Sequence, residues 1–503
     1  MTHLATVLGL DPAAAAVTDD RQTLSWDELD RRSNALARGL EERGVMPGDH
    51  VALICSNRVE FVDAVLGLTR GGFGFTPLKT NWTTTEIEWL LADANTKAVI
   101  TDQPVGVATA ASAGIACITI DDQFDQWLDA QPQHPVPLDR RGGRIPYTSG
   151  TTGRPKGVHR TAGQPDFATW LTASAGYATA LGLPGRGTHL MVAQMFHGAP
   201  LNFGMSTMLA GAHLRIMTRW GAEAAVPLLG EATSSIMVPT MFRQLLALPE
   251  AQRAGLPGSN LEMILHGGEA CPVPVKHRMI EWWGPIFTEY YGFTEGGMTV
   301  CTSPDWLARP GTVGRPSAGI HAIIVDNEGN EVAPNVTGTV YFRRDGGRYF
   351  SYANDPSKTE TAHRADGSFT VGDHGWLDED GWLFLAGRTA ELIVGAGVNI
   401  YPAEIESVIS TVDGIHDVCV VGGPHTTRGE EPIAWVVLTA PDSNAQREAL
   451  ARAAEVCEAD LAGYKRPRDW HVIDELPRDP TGKVLRRNLR AKLWPAEANL
   501  TPG

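Results

Sequence analysis

Apolar and polar positions follow two alternating periods over the first 150 residues, one helical and one of short buried strands. Ser25-Trp-Asp-Glu28 has the spacing of a reciprocal cap, after which Leu29, Leu36, Ala37 and Leu40 recur on one helical face until Gly44. Val51-Ala-Leu-Ile-Cys55 is a continuous apolar run of strand length. The pattern then predicts a helix over 59–69, a strand over 73–77, a helix beginning at 85–87 and a strand over 98–101. Such alternation predicts a parallel sheet flanked by helices. The middle of the chain repeats it, with strands at 214–217 and 263–265 and helices over 224–229 and 240–248. From about 310 to 385 the pattern becomes strand-rich. Asp380-Gly381 lies there between Trp376-Leu377 and Trp382-Leu-Phe-Leu385, a hairpin signal. Past Gly387-Arg388 a last α/β segment follows: a helix opened by Pro402, strands at 418–421 and 433–439, a helix over 446–457, a strand over 470–473 and a basic helix over 484–492. The expected fold class is α/β. A large N-terminal domain of flanked β-sheets, with a β-barrel-like subdomain, is expected over 1–389, and a small α/β C-terminal domain over 390–503.

Charge narrows the function. The 503 residues carry 42 basic and 58 acidic side chains, a formal net charge of −16. An acidic surface repels nucleic acid and anionic membrane, so no nucleic-acid partner is expected, although local basic pockets for phosphate remain open. No apolar run approaches 18 residues, so no membrane span is expected. The first residues lack a basic stretch before an apolar one, so no secretory signal is expected. The cysteines at 55, 117, 271, 301, 419 and 457 form no CxxC pair, which argues against a zinc site or a disulfide framework. Buried free thiols in a reducing, cytoplasmic location are the expectation.

The most informative stretch is Tyr147-Thr-Ser-Gly-Thr-Thr-Gly-Arg-Pro-Lys-Gly157. Glycines let backbone N–H groups approach an anion, hydroxyls donate to phosphate oxygens, and Arg154 and Lys156 add charge. The spacing is not that of a Walker loop, which disfavours an ATPase of that type. Further candidates follow in order. Phe196-His197-Gly-Ala-Pro200 suits a pocket mouth, although a lone histidine is more often structural. Tyr291 offers a flat face for a base, or is a core aromatic. Glu295 is a hard carboxylate suited to Mg²⁺, or a surface acid. Asp373 can accept from two ribose hydroxyls, and Arg388 can donate to ribose or phosphate, or the two form an ordinary ion pair between hairpins.

Taken together, these strings resemble the signatures of the adenylate-forming superfamily: acyl-CoA synthetases, peptide-synthetase adenylation domains and luciferases. Thr148, Ser149, Gly150, Thr151, Thr152, Gly153 and Lys156 look like its phosphate loop. His266-Gly-Gly-Glu-Ala270, with Gly268 and Glu269, is similar to its adenine wall, and Tyr290-Tyr-Gly-Phe-Thr-Glu295 to its adenine-stacking and metal motif. Val371-Gly-Asp-His-Gly375 with Gly387-Arg388 resembles the ribose motif. Gly395-Ala-Gly-Val-Asn-Ile-Tyr-Pro402 and Pro477-Arg-Asp-Pro-Thr-Gly-Lys483 resemble the C-terminal motifs.

The resemblance implies a ligase using ATP, Mg²⁺ and CoA. A carboxylate would attack the α-phosphorus of ATP to give acyl-AMP and pyrophosphate, and a thiol would then take the acyl group. It implies Lys483 as the lysine bridging carboxylate and nucleotide, Thr294 as an α-phosphate donor, His197 as a substrate-border residue and Glu295 as the metal carboxylate. It also implies a mobile small domain, whose Gly397 region would line the thiol tunnel. By composition alone Lys483 is a solvated lysine on a basic face. The acyl pocket is expected from His197, Gly198, Val238, Gly267, Phe293 and Met298, apolar or small residues that suit a hydrophobic, fatty or cyclic, acid. A carrier-protein pantetheine or an amine remains open as the acceptor, as does a catalytically silent nucleotide-binding protein. Two departures stand out: Ala390, where the family usually has a charged or polar hinge residue, and Ala396, where a second glycine is usual.

Overall fold

The computed structural model describes residues 3–132, 134–148, 155–160, 163–254, 256–347, 349–388, 391–395, 398–427, 429–439, 443–478 and 484–494. Ser25 and Glu28 close the expected capping box on the helix Trp26–Glu42. A second box, Thr83 with Glu86, opens the helix Thr84–Asp93. Each box satisfies two amides that would otherwise lack partners.

The first part of the chain builds a parallel five-stranded sheet. Its spatial order is Ala116–Thr119, Thr96–Thr101, His50–Ile54, Gly74–Pro77 and Gly143–Arg144. His50–Ile54 is buried along its whole length, which is why Val51–Cys55 reads as an unbroken apolar run.

A larger sheet positions the site. Phe287–Gly292, Met263–Gly267, Ser234–Met237, Thr188–Met191, His213–Ile216 and Ala15–Thr18 lie side by side and parallel. On the other side of Phe287–Gly292 the pairing turns antiparallel. It continues through Met298–Thr302, Thr312–Pro316, Leu383–Arg388, Asp373–Leu377, Gly338–Arg344 and Ile320–Val325. These antiparallel strands bury an apolar cluster of their own around Val340, Phe342, Phe350 and Phe369.

Residues after 390 form a third sheet. Gly429–Leu438 pairs antiparallel with Ile415–His425 and parallel with Asp469–Val472. One face packs Ile405, Ile409, Val420, Val436 and Ala453; the other packs Cys419, Trp435 and Leu489. All six cysteines are free thiols. Among the described residues no helix is long and apolar enough to cross a membrane.

Candidate active site

The candidate residues collect at one edge because parallel strands all end on the same side. Thr188–Met191 leads toward His197, Ser234–Met237 into Val238, Met263–Gly267 into Gly268-Glu269, and Phe287–Gly292 into Phe293-Thr294-Glu295. Tyr291 lies where parallel pairing gives way to antiparallel pairing, so the antiparallel strands can bring Asp373 and Arg388 alongside it.

They do so directly. Asp373 and Arg388 are cross-strand partners, and Arg388 Nε donates to Asp373 Oδ1 at 2.8 Å. The Tyr291 hydroxyl donates to Asp373 Oδ2. Burial, then the Asp373 charge, pushes the Tyr291 phenol well above its ordinary pKa, so it remains a donor. Asp373 is 4 % exposed. Its carboxylate therefore accepts from protein on both oxygens and keeps the remaining lone pairs for a ligand.

A second polar group lies beside the phosphate-loop hairpin. Tyr147–Thr148 pairs with Lys156–Arg160, and Lys156 forms an ion pair with Asp355. Hydrogen bonds hold the Asp355 carboxyl far below its usual range, the largest coming from Lys156. The Tyr352 hydroxyl donates to Glu295 Oε1 at 2.8 Å. Lys358 lies within electrostatic reach of Lys156, Glu295 and Asp355. Its pKa is lowered, first by burial and then by Lys156. The Thr294 hydroxyl is half-buried and makes no hydrogen bond to a described residue. Glu295 suits a Mg²⁺ ion. One oxygen is oriented by Tyr352, and the other has no described partner. Magnesium takes one or two carboxylates and completes its shell with phosphate and water.

The wall behind Tyr291 is rigid. Lys276 and Glu289, both buried, pair at 2.6 Å. Burial raises the Glu289 pKa and Lys276 opposes that rise. His266 is fully buried 3.9 Å from Glu289, its pKa driven well below 6.5 by burial and then by Lys276. It is a neutral core histidine, not a ligand.

Three of the expected site residues have protein contacts of their own. Glu269 Oε1 accepts the Thr240 amide at 2.5 Å, and Arg478 lies 3.8 Å from Oε2. The helix Pro239–Leu246 has no side-chain cap of its own, so Glu269 supplies one from across the edge. The exposed Gly268, at φ +81°, gives the turn that sends it there. Gly267 is closely packed on its Cβ side. A Cβ there would stand 2.2 Å from the Tyr290 carbonyl oxygen, so the position is filled by close packing. Phe293 packs into the antiparallel cluster, 5.3 Å from Phe342 and 5.9 Å from Phe369.

Val238 and Met298 instead border the main core together with Tyr177. The Tyr177 hydroxyl reaches Met298 Sδ at 3.1 Å. Tyr177 stacks on Phe203 at 5.9 Å, and Phe203 lies 4.9 Å from Tyr290. His197 and Gly198 are half-buried at the start of the helix Gly198–Leu209. Ser149, Gly150, Thr151, Thr152, Gly153, Gly397, Lys483 and the hinge residue Ala390 lie outside the described residues. Sequence reasoning missed Tyr352, Asp355 and Tyr177. All three meet the site through long-range pairing that no local spacing signals.

The model of the AMP-binding enzyme family matches residues 6–347, and that of the AMP-binding enzyme C-terminal domain matches 404–483. The chain belongs to the AMP-binding enzyme family. This AMP-binding enzyme is 32 % identical over 488 residues to 2-succinylbenzoate–CoA ligase of Geobacillus kaustophilus, covering 96 % of this chain and 95 % of that one. It is 30 % identical over 509 residues to the fatty acid–acyl-carrier-protein ligase ScoC of Streptomyces coeruleorubidus, covering 96 % and 94 %. Its fold matches that of Bacillus subtilis o-succinylbenzoate CoA synthetase in complex with the acyl-adenylate intermediate. The TM-score is 0.81 at 26 % identity, over 97 % of this chain and 98 % of that one. The AMP-binding enzyme described here is an ATP-dependent adenylating ligase.

Proposed function

We propose that this ligase joins a carboxylic acid with a largely apolar body to CoA through an acyl-AMP intermediate. The observation that carries this reading is the convergence on one edge of two differently prepared surfaces. Tyr291, Asp373 and Arg388 offer an aromatic face beside a buried carboxylate, and Thr294 with Lys156 offers phosphate donors beside an apolar wall. Adenine would lie on Tyr291 and the ribose hydroxyls would share Asp373. The hydroxyls and amides of 148–153, with Lys156 released from Asp355, would hold the phosphates.

The acid carboxylate attacks the α-phosphorus and pyrophosphate leaves. Two anions must meet, so the protein's task is positioning and charge stabilisation rather than covalent chemistry. Lys483 is the cation assigned to bridge them, with Thr294 donating to the α-phosphate. Glu295 would hold Mg²⁺, which when bound offsets phosphate charge. The thiol then attacks the acyl carbonyl and AMP leaves. Division of the chain at 389/390 would let the small domain, with Gly397, exchange places between the steps. Arg478, bound to Asp417 within that domain, also reaches Thr240 Oγ1 at 3.3 Å across the boundary.

Kinship with a CoA ligase supports CoA as acceptor; kinship with an acyl-carrier-protein ligase supports carrier pantetheine as the second reading. A screen of carboxylic acids for pyrophosphate release, followed by CoA, pantetheinylated carrier or amine, tests the assignment. AMP, pyrophosphate and an acyl-CoA are expected. ADP with phosphate would overturn adenylation, and transfer to carrier alone would overturn CoA.

A further inference from the structure

The acyl side of the cleft holds two arginines that the adenylation chemistry leaves unused. The hairpin pairs Tyr147 with Gly157, and the Val158 amide donates to Pro146 O at 2.9 Å. Before the hairpin, Arg144 belongs to a strand of the five-stranded sheet and lies within electrostatic reach of Arg160. Like charges held near each other repel. Neither guanidinium has a carboxylate within 4 Å among the described residues, in a chain with 58 acidic side chains to draw on. Arg160 instead donates to the Tyr349 hydroxyl.

The Arg144 guanidinium sits deep in the cleft with part of its surface open. Burial, then the Arg160 charge, pushes its pKa down to about 10, so it remains cationic at neutral pH. A Cβ on Gly198 would fall 2.7 Å from Arg144 Nη1, so only glycine lets the guanidinium lie against this helix start. His197 supplies no side-chain cap to Gly198–Leu209, whose first amides have no partner within the helix. Arg160 also lies within electrostatic reach of the Tyr177 phenol, the residue that touches Met298. Arg144, which meets no carboxylate among the described residues, and Arg160, held by the Tyr349 hydroxyl, thus lie near the start of Gly198–Leu209.

We propose that Arg144, assisted by Arg160, binds a second anionic group on the acid, so that the preferred substrates are dicarboxylic: an apolar body with one carboxylate for adenylation and another held by Arg144. This rests on the adenylating-ligase reading. The anion would otherwise be the reacting carboxylate or the triphosphate. The triphosphate fits less well, because Lys156 lies at the other end of the same strand, four residues or about 13 Å from Arg160. A planar guanidinium suits a carboxylate, which it can grip with two parallel hydrogen bonds.

The test uses the full chain with ATP and no thiol, reading pyrophosphate release. Symmetric aliphatic and aromatic diacids (adipate, suberate, terephthalate) are each paired with their monomethyl ester. For at least one pair the wild type should prefer the diacid by about 10- to 100-fold in kcat/KM, the scale of a hydrogen bond to a charged group. Arg144→Met should collapse that ratio toward one through loss on the diacid side; its rate on the half-ester shows that it folds. Arg144→Lys should retain part of the preference. Arg160→Gln, at an exposed position, should lower it by about threefold.

Equal loss on diacid and half-ester in Arg144→Met would assign the arginine to the reacting carboxylate and overturn the proposal. So would a raised KM for ATP with the diacid ratio unchanged, or a wild-type preference for the half-esters. If Arg144→Met does not fold, an unchanged ratio in both Arg144→Lys and Arg160→Gln overturns it. Absence of pyrophosphate with every acid tried, mono- or dicarboxylic, would instead overturn the ligase reading itself.

Discussion

The two halves of the cleft treat charge in opposite ways. On the nucleotide half the charges have partners: Asp373 with Tyr291 and Arg388, Glu295 with Tyr352, Lys156 with Asp355. On the side of Arg144 and Arg160, neither guanidinium meets a carboxylate among the described residues, and Arg160 donates to the Tyr349 hydroxyl. A site that always receives the same ligand can be preorganised by internal hydrogen bonds, which cost little to rearrange because the partners are already oriented. A site that must tell one acid from another gains discrimination from a group left unpaired until the right ligand arrives. In the proposed pocket, Val238, Met298 and Tyr177 would set the shape, and Arg144 would set which acids of equal size are accepted.

The sharpest way to break the comparison is at the lysine that should serve every acid alike. Lys483→Ala should slow acyl-AMP formation by about 10²–10³-fold for diacids and half-esters equally. Transfer from supplied acyl-AMP to CoA should stay near normal, and single-turnover assays of each half-reaction read the difference. Loss of both halves in a folded variant would remove Lys483 from its role.

Asp373→Ala should be next. It strips the carboxylate from Tyr291 and Arg388 and should raise the KM for ATP by about 10- to 100-fold, the scale of a charge-assisted hydrogen bond. The relative order of acids should not change. A shifted acid order would mean that the two halves are not separable.

Gly267→Ala separates packing from recognition. With a Cβ 2.2 Å from the Tyr290 carbonyl oxygen, the backbone must shift, and about 1–3 kcal/mol of stability should be lost. A denaturant midpoint measures it. An unchanged midpoint would mean that the wall yields and that Gly267 can line a pocket after all.

The smallest effect belongs to Glu269→Gln. The amide still caps the Pro239–Leu246 helix but loses its charge toward Arg478, 3.8 Å away. A partly buried ion pair at that distance is worth about 0–1 kcal/mol, so adenylation should fall by at most about fivefold. A hundredfold fall would show that the strut across the domain boundary governs the reaction.

Much of this arrangement was legible in the sequence because its signals are local. The Ser25–Glu28 box, the buried run ending at Cys55 and the Asp380-Gly381 hairpin each act within a few residues. The ordered motifs likewise brought Tyr291, Asp373, Arg388 and Glu295 to one edge. What spacing did not show is direction. Gly267 and Phe293 sit inside recognisable motifs, yet one packs on Tyr290 and the other turns into the antiparallel core, because their surroundings come from residues far along the chain. Glu269 also caps a helix far along the chain, for the same reason. Arg144 gave no signal at all. An arginine near a candidate phosphate loop is unremarkable until the structure shows that no acidic side chain among the described residues meets it.

In the proposed reaction, acid and ATP react before any thiol takes part. Exchange of labelled pyrophosphate into ATP, measured with an accepted acid and no CoA, tests it most directly. Acid-dependent exchange is expected, slowed by about 10²–10³-fold in Lys483→Ala. Formation of ADP and phosphate, or exchange that begins only when CoA is added, would contradict it.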